Sequence, residues 1–176
     1  YAAYDPGQLA GRNGVAVLTR TPPAAIRAWS PTVHVLGPQG SFEREPDAGV
    51  PLARELRAFA HEGRYLEVDL ASAPVTVASL YLPKGGLPEH LQKPGRMREV
   101  PDGGAKYLRK MRFLAGFERY LTRSRRAARQ RGREFVLLGD FNVAHGPLDV
   151  ANHKRQVRNE GFLPEDDLGL QKGKVI

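Results

Sequence analysis

The sequence predicts an α/β fold in which two strands run parallel and a long helix connects them. Two apolar runs, at residues 75–82 and 135–138, have the composition of buried strands. Between them, apolar side chains recur every three or four residues along residues 106–131, which is the spacing of one helix face. A crossover of this length makes the two strands parallel, with a right-handed connection.

Two further strands are predicted before this unit. Residues 14–18 form a short apolar run, and residues 64–70 alternate, with Leu66, Val68 and Leu70 on one face. Only residues 71–74 separate the second of these strands from the run at 75–82. A connection this short predicts that the two strands form an antiparallel hairpin.

The helix over 106–131 carries one apolar stripe, and basic side chains lie largely around it. The stripe consists of Tyr107, Met111, Leu114, Phe117 and Leu121. Gly132 supplies a residue that can take the left-handed conformation at the helix end. A weaker helix is predicted over 52–60. The stretches 37–51 and 83–104 are rich in glycine and proline and predict exposed loops.

Composition limits the classes of function. A chain of 176 residues with 41% hydrophobic and 26% charged residues suits one globular domain and excludes wholesale disorder. It has no cysteine, which excludes disulfides and thiolate zinc sites. Its net charge is +8, and 20 of its 27 cationic residues are arginine. That balance favours a polyanion, nucleic acid first and an anionic membrane second, although a mixed soluble surface explains it too.

Polar side chains follow the last predicted strand. Asp140 and Asn142 are two residues apart, so an extended chain projects both to the same side. Because the carboxyl ends of parallel strands share one edge, we expect them in one crevice with Tyr81. A carboxylate can deprotonate water or ligate a hard cation, and an amide can donate to a phosphoryl oxygen. The alternative is that Asp140 caps a helix and Asn142 fills a turn.

Other donors suit a phosphate backbone. The hydroxyl of Tyr81 and the side chain of Lys84 can reach a phosphate, and Asn152, Lys154 and Gln156 belong to a dense donor cluster. The alternatives are a half-buried tyrosine and a solvated loop. Seven arginines between positions 119 and 133 are interpreted as the outer face and end of the helix, where cations favour the helix dipole.

Five stretches, in order, resemble the exodeoxyribonuclease III and apurinic/apyrimidinic endonuclease family of the endonuclease/exonuclease/phosphatase superfamily. They are residues 13–20, 63–67, 79–83, 138–145 and 148–165. The resemblance implies a four-layered α/β sandwich of the DNase I type, with two packed sheets flanked by helices. It also implies Mg²⁺-dependent hydrolysis of phosphodiester bonds in DNA repair, with Mn²⁺ as an alternative ion.

The same resemblance implies the partner and its setting. The substrate is double-stranded DNA with abasic sites or 3′ ends, cleaved by an abasic-site endonuclease and 3′–5′ exonuclease activity. We expect a monomer in the cytoplasm, associated with the nucleoid and not with a membrane.

Residue by residue, the resemblance assigns roles. Asp140 matches the acid that activates the attacking water, Asn142 the amide that stabilises the transition state, and Tyr81 the tyrosine that contacts the scissile phosphate. Asp140 and Asn142 also match positions near the metal. The residues expected to contact DNA are Asn13, Arg64, Lys84, Asn152, Lys154 and Gln156.

Parts of the family pattern are not in this sequence. The family's metal-binding Glu is expected before Tyr1, and its second catalytic Asp and terminal Asp-His pair are expected after Ile176. We therefore expect residues 1–176 to be one domain that is incomplete at both ends and has little nuclease activity alone. The alternatives are a non-catalytic DNA-binding fragment and a phosphatase or phospholipase of the same fold.

Overall fold

The computed structural model describes residues 1–8, 13–93, 100–144, 147–149 and 151. Two compact units divide the chain. The first comprises Tyr1–Tyr81 and Gly116–Asp140, and the second comprises Leu82–Ala115 and the described residues that follow Asp140. Within the described residues, no helix is long and apolar enough to cross a membrane.

The first unit contains two four-stranded sheets. Sheet one has the order β2-β1-β4-β5, and all its neighbouring strands are antiparallel. Its strands are β1 (Ala2–Asp5), β2 (Val15–Leu18), β4 (Val33–Gly37) and β5 (Gly40–Arg44), with β3 (Ala25–Ala28) belonging to the other sheet. The predicted strand at 14–18 is therefore confirmed as β2.

Sheet two has the order β3-β6-β7-β8. Its remaining strands are β6 (Tyr65–Asp69), β7 (Val75–Tyr81) and β8 (Glu134–Asp140). β6 and β7 form the predicted antiparallel hairpin, and β7 and β8 form the predicted parallel pair. The crossover helix α1 spans Ala105–Gln130, one residue from the predicted bounds at each end.

The core lies between the two sheets because apolar side chains alternate along their strands. Its buried members are Ala3, Val15, Val17, Val33 and Val35 from sheet one, and Ile26, Leu66 and Val68 from sheet two. The opposite face of sheet two packs on the part of α1 that belongs to the same unit. There the ring of Trp29 stacks on Tyr65 with centroids 4.9 Å apart, and Phe117 and Tyr120 meet both rings edge-on. The predicted α/β class, with two packed sheets and a helix, is confirmed.

Several sequence predictions are wrong in detail. The stretch 37–51 is not a loop throughout, because Gly40–Arg44 forms β5. Every residue of β5 is exposed, so this edge strand has no apolar alternation to reveal it. Strands β1, β3 and β4 were also not predicted, and the weaker helix over 52–60 is a 3-10 helix over Arg54–Phe59. Shorter 3-10 helices in the second unit span Glu89–Leu91 and Pro147–Asp149.

The buried face of α1 differs from the predicted stripe. Leu114 and Phe117 are buried as expected, but Tyr107, Met111 and Leu121 are only half-buried. Lys110, expected beside the stripe, is 1% exposed. The prediction failed here because a lysine counts as polar in any hydrophobic pattern, whereas its four-carbon stem can lie in an apolar setting.

A glycine makes the parallel pair continuous to its end. Gly139 has φ +136°, and a Cβ at this position would lie 1.9 Å from the carbonyl oxygen of Leu80. No side chain fits so close to a neighbouring backbone, so only glycine keeps β8 paired through Asp140.

A buried polar layer ties β3 to β6 and β7. The guanidinium of Arg27 donates to Glu67 at 2.8 Å and to both carboxylate oxygens of Asp69. The hydroxyl of Thr76 also donates to Asp69, at 2.6 Å. From the C-terminal side of α1, Arg131 and Arg133 approach the same carboxylate within 3.7 and 3.5 Å. Asp69 therefore lies at the centre of the layer.

We expect Gly139→Ala to lower the free energy of unfolding by about 3 kcal/mol, since the methyl group must displace the backbone of β7. Gly40→Ala is the matched control: its φ is +113°, yet no atom lies within 4 Å of its added Cβ. Chemical denaturation of both variants compares steric overlap with backbone strain. Equal losses in the two variants would contradict the steric explanation.

Asp69→Asn should lower the free energy of unfolding by about 3–5 kcal/mol, because it leaves Arg27 buried with one charge partner fewer. Glu55→Gln, which removes the solvent-accessible ion pair with Arg119 (2.7 Å), should have a much smaller effect, because water screens such a pair. Urea titrations measure both values. A loss for Asp69→Asn as small as that of the control would contradict the central position of Asp69.

The same aspartate predicts a pH dependence. Burial opposes ionisation of Asp69, but hydrogen bonds from Arg27 and Thr76 outweigh it and lower its pKa below the ordinary 3.8. A lowered folded-state pKa stabilises the protein above the unfolded value, and this stabilisation is lost as pH falls through the folded value. Unfolding measured from pH 6 down to pH 2 should show a shallower decline for Asp69→Asn than for the parent.

Candidate active site

A phenol and a carboxylate end two adjacent strands. Tyr81 is the last residue of β7 and Asp140 the last of β8, and they are register partners in the parallel ladder. Register partners point to the same face of a sheet, and adjacent strands lie about 4.8 Å apart. That face is the one that carries Val77, which packs on the core between the sheets together with Tyr81. The structure therefore brings Tyr81 and Asp140 together at one rim, with Asp140 exposed and Tyr81 half-buried.

Arg64 holds Tyr81 through a hydrogen bond and a cation–π contact. Its Nη1 donates to the carbonyl oxygen of Tyr81 at 3.0 Å, and its guanidinium carbon lies 5.3 Å from the centroid of the Tyr81 ring. In return, the backbone N–H of Tyr81 donates to the carbonyl of Arg64 at 2.9 Å. The Nε of Arg64 donates to Glu62 at 2.6 Å, so a buried ion pair orients the guanidinium.

Arg64 was predicted to contact DNA, and that role stays a prediction. The structure places it at 7% exposure, with its donors directed at Glu62 and Tyr81. Sequence reasoning missed this internal role. Arg64 directly precedes β6, and the hairpin places the start of β6 beside the end of β7. This position was the signal in the sequence that Arg64 neighbours Tyr81.

The other predicted DNA contacts belong to different parts of the chain. Asn13 is half-buried, two residues before β2, in the first unit, and Lys84 is exposed in the second unit. Asn152, Lys154 and Gln156 lie outside the described residues, so their roles stay predictions.

Asn142 belongs to the second unit and has its own surroundings there. Its backbone is left-handed, with φ 46°. Its side-chain Nδ2 donates to the carbonyl of Leu82 at 2.8 Å, and Lys110 Nζ donates to its backbone carbonyl at 3.1 Å. Leu82 directly follows Tyr81 in the chain, so the bond from Asn142 joins the segment after β8 to the segment after β7.

The described residues do not by themselves form a metal centre. No group of three or more His, Asp or Glu side chains among them is placed to hold an ion. A protein site for Mg²⁺ commonly uses one or two carboxylates together with water and substrate phosphates. Asp140 supplies one such carboxylate, which is less than a complete set of protein ligands.

The rim nonetheless has a defined chemistry. An exposed carboxylate can orient a water molecule and take its proton, and a neighbouring phenol can donate a hydrogen bond to an anionic oxygen. These two functions, side by side, suit hydrolysis of a phosphate ester by an oriented water molecule.

Comparison with known proteins agrees with this chemistry at the level of the family. No curated protein matches the chain. The family model described as the endonuclease/exonuclease/phosphatase family matches residues 1–160, which include every strand and helix described above. Members of that family are hydrolases and generally depend on a divalent metal ion. Because this model covers residues 1–160 of the 176, the chain belongs to the endonuclease/exonuclease/phosphatase family.

Proposed function

We propose that the protein hydrolyses phosphodiester bonds of double-stranded DNA in repair, as an abasic-site endonuclease and 3′–5′ exonuclease of the exodeoxyribonuclease III type. The observation that carries the proposal is the pairing of Tyr81 with Asp140 at the end of two parallel strands. Membership of a family of hydrolases that includes nucleases and phosphatases supports the reaction class.

In the proposed reaction, Asp140 orients a water molecule and accepts its proton. The water oxygen forms a bond to phosphorus as the bond from phosphorus to the 3′ oxygen breaks, and the leaving oxygen takes up a proton. The hydroxyl of Tyr81 donates to a non-bridging phosphate oxygen. Asn142, two residues along the chain from Asp140, donates to the oxygen on which charge develops.

DNA is favoured over a lipid substrate by charge. The chain carries a net charge of +8 and contains 20 arginines, which match phosphate oxygens in pairs. Phosphate contacts of this kind make binding dependent on salt and tolerant of sequence. Tolerance of sequence is what an enzyme acting along a duplex requires.

Mg²⁺, with Mn²⁺ as the alternative, is the proposed cofactor. Support comes from the metal dependence that is general in the family and from the exposed carboxylate of Asp140. The ion is tested directly by its removal, as an arm of the next experiment.

The decisive experiment uses protein expressed from the complete open reading frame and an abasic duplex. Asp140→Asn should lower cleavage about 100- to 10,000-fold, because it removes the group that takes the proton, while duplex binding is retained. Glu134→Gln, an exposed acid at the other end of β8, is the matched control and should cleave normally. EDTA should stop the parent enzyme, and added Mg²⁺ should restore it.

Each other outcome identifies a different function. Binding without cleavage in the parent would indicate a DNA-binding module. Hydrolysis of inositol phosphates or sphingomyelin in place of DNA, lost in Asp140→Asn, would indicate a phosphatase or phospholipase. Cleavage of DNA that Asp140→Asn leaves unchanged would contradict the proposed site.

Lys84→Gln tests whether the segment after β7 contacts the duplex. If exposed Lys84 neutralises one phosphate, the slope of log affinity against log salt should become about 0.9 less negative in the variant. Arg57→Gln, which removes an exposed cation from the 3-10 helix of the first unit, should leave the slope unchanged. Fluorescence anisotropy with a labelled abasic duplex, at several salt concentrations, measures both slopes.

A further inference from the structure

A buried lysine is the strongest unassigned feature of the second unit. Lys110 lies in the second turn of α1 and is 1% exposed, although lysine is almost never fully buried unless its amino group has a partner. Its Nζ donates to the backbone carbonyl of Asn142 at 3.1 Å, across 32 positions of sequence. The lysine therefore reaches from the crossover helix to the segment that follows β8.

The aliphatic stem of Lys110 is held by a glycine. Gly85 has φ +77°, and a Cβ there would lie 2.6 Å from Cδ of Lys110 and 3.2 Å from its Cβ. A residue with a side chain would push the stem aside and also strain the backbone. The segment after β7 thus closes on the stem while the head of the lysine binds the segment after β8.

Asn142 is held in an unusual conformation at this point. Among the described residues it is the one non-glycine residue with positive φ, at 46°. Asparagine tolerates this region better than most residues, but a residue in it still needs support from its surroundings. Two hydrogen bonds provide that support: Lys110 holds the backbone carbonyl, and Leu82 accepts the side-chain amide at 2.8 Å.

We propose that Lys110 is a positioning residue that fixes the backbone and the amide of Asn142 for the reaction. Leu82, Gly85, Lys110 and Asn142 together form what we call the Lys110 clamp. Its contribution to the reaction rests on the proposed function, because it acts through the role assigned to Asn142. The contacts within the Lys110 clamp are tested separately, by a measurement that needs no activity.

A purely structural lysine and a positioning lysine differ in one measurable respect. A structural lysine affects stability, and its loss changes the rate by the same factor whatever residue occupies position 142. A positioning lysine changes the rate only when Asn142 is there to be positioned. The two effects are then strongly non-additive, as expected for residues in direct contact.

The experiment is a double-mutant cycle on the complete protein, with single-turnover cleavage of an abasic duplex. Lys110→Met keeps an unbranched apolar stem but removes the amino group, and should lower the rate constant about tenfold, with little change in duplex affinity, as one directed hydrogen bond is lost. Asn142→Ala should lower it about 100-fold. In the Asn142→Ala background, Lys110→Met should have less than a twofold effect. Lys93→Met, which changes an exposed lysine of the same unit, is the control and should be unchanged.

Gly85→Ala provides a second route to the same disturbance if Lys110→Met folds poorly. Its added methyl group should displace the lysine stem, and its effect on the rate should likewise vanish in the Asn142→Ala background. An equal loss in both backgrounds, or no loss in either variant, overturns the proposal.

Hydrogen exchange of the Asn142 side-chain amide, followed by NMR, tests the clamp without any substrate. The bond to Leu82 should protect this amide, and Lys110→Met should accelerate its exchange about tenfold, whereas Lys93→Met should not. If the parent protein cleaves no phosphodiester, the proposed function fails, and this measurement alone judges the clamp. Unchanged exchange in Lys110→Met overturns it whatever the activity.

Discussion

The parallel pairing of β7 with β8 is the constraint on which the candidate site depends. It joins strands separated by the whole of α1, and its register makes Tyr81 and Asp140 neighbours. The pairing extends to its last residue pair because Gly139 allows the backbone of Leu80 to approach. Without that approach the acid would follow a frayed strand end. The position of Asp140 beside Tyr81 therefore depends first on how closely the two strand backbones pack.

Buried ionic groups orient Tyr81 and the strands next to it. Arg64 uses an acid, a backbone carbonyl and an aromatic face to hold Tyr81, while Arg27 and Asp69 anchor the neighbouring strands. Such groups are costly to bury unless every partner is present, so they favour one arrangement strongly over others. They also change the meaning of the net charge. Part of the positive charge of this basic chain, that of Arg27 for example, neutralises internal acids.

In the second unit, hydrogen bonds to backbone carbonyls restrict Asn142 in a similar way. The buried amino group of Lys110 donates to the backbone carbonyl of Asn142, and the side-chain amide of Asn142 donates to the backbone carbonyl of Leu82. A left-handed asparagine between two strong hydrogen bonds has few alternative conformations. Reaction sites benefit from such restriction, since donors that are already oriented need not reorganise when charge develops.

Local patterns in the sequence were sufficient for the crossover, the hairpin and the positions of Tyr81 and Asp140, because buried strands and long helices leave periodic apolar signals. They were insufficient for β5, whose exposed residues carry no alternation, and for Lys110, whose polarity suggested the wrong face of α1. The partners of Arg64 and Asn142 were equally hidden. Periodicity in a sequence shows which residues are buried. The pairing of polar groups that are distant in sequence depends on the tertiary structure, and it leaves no periodic pattern in the sequence.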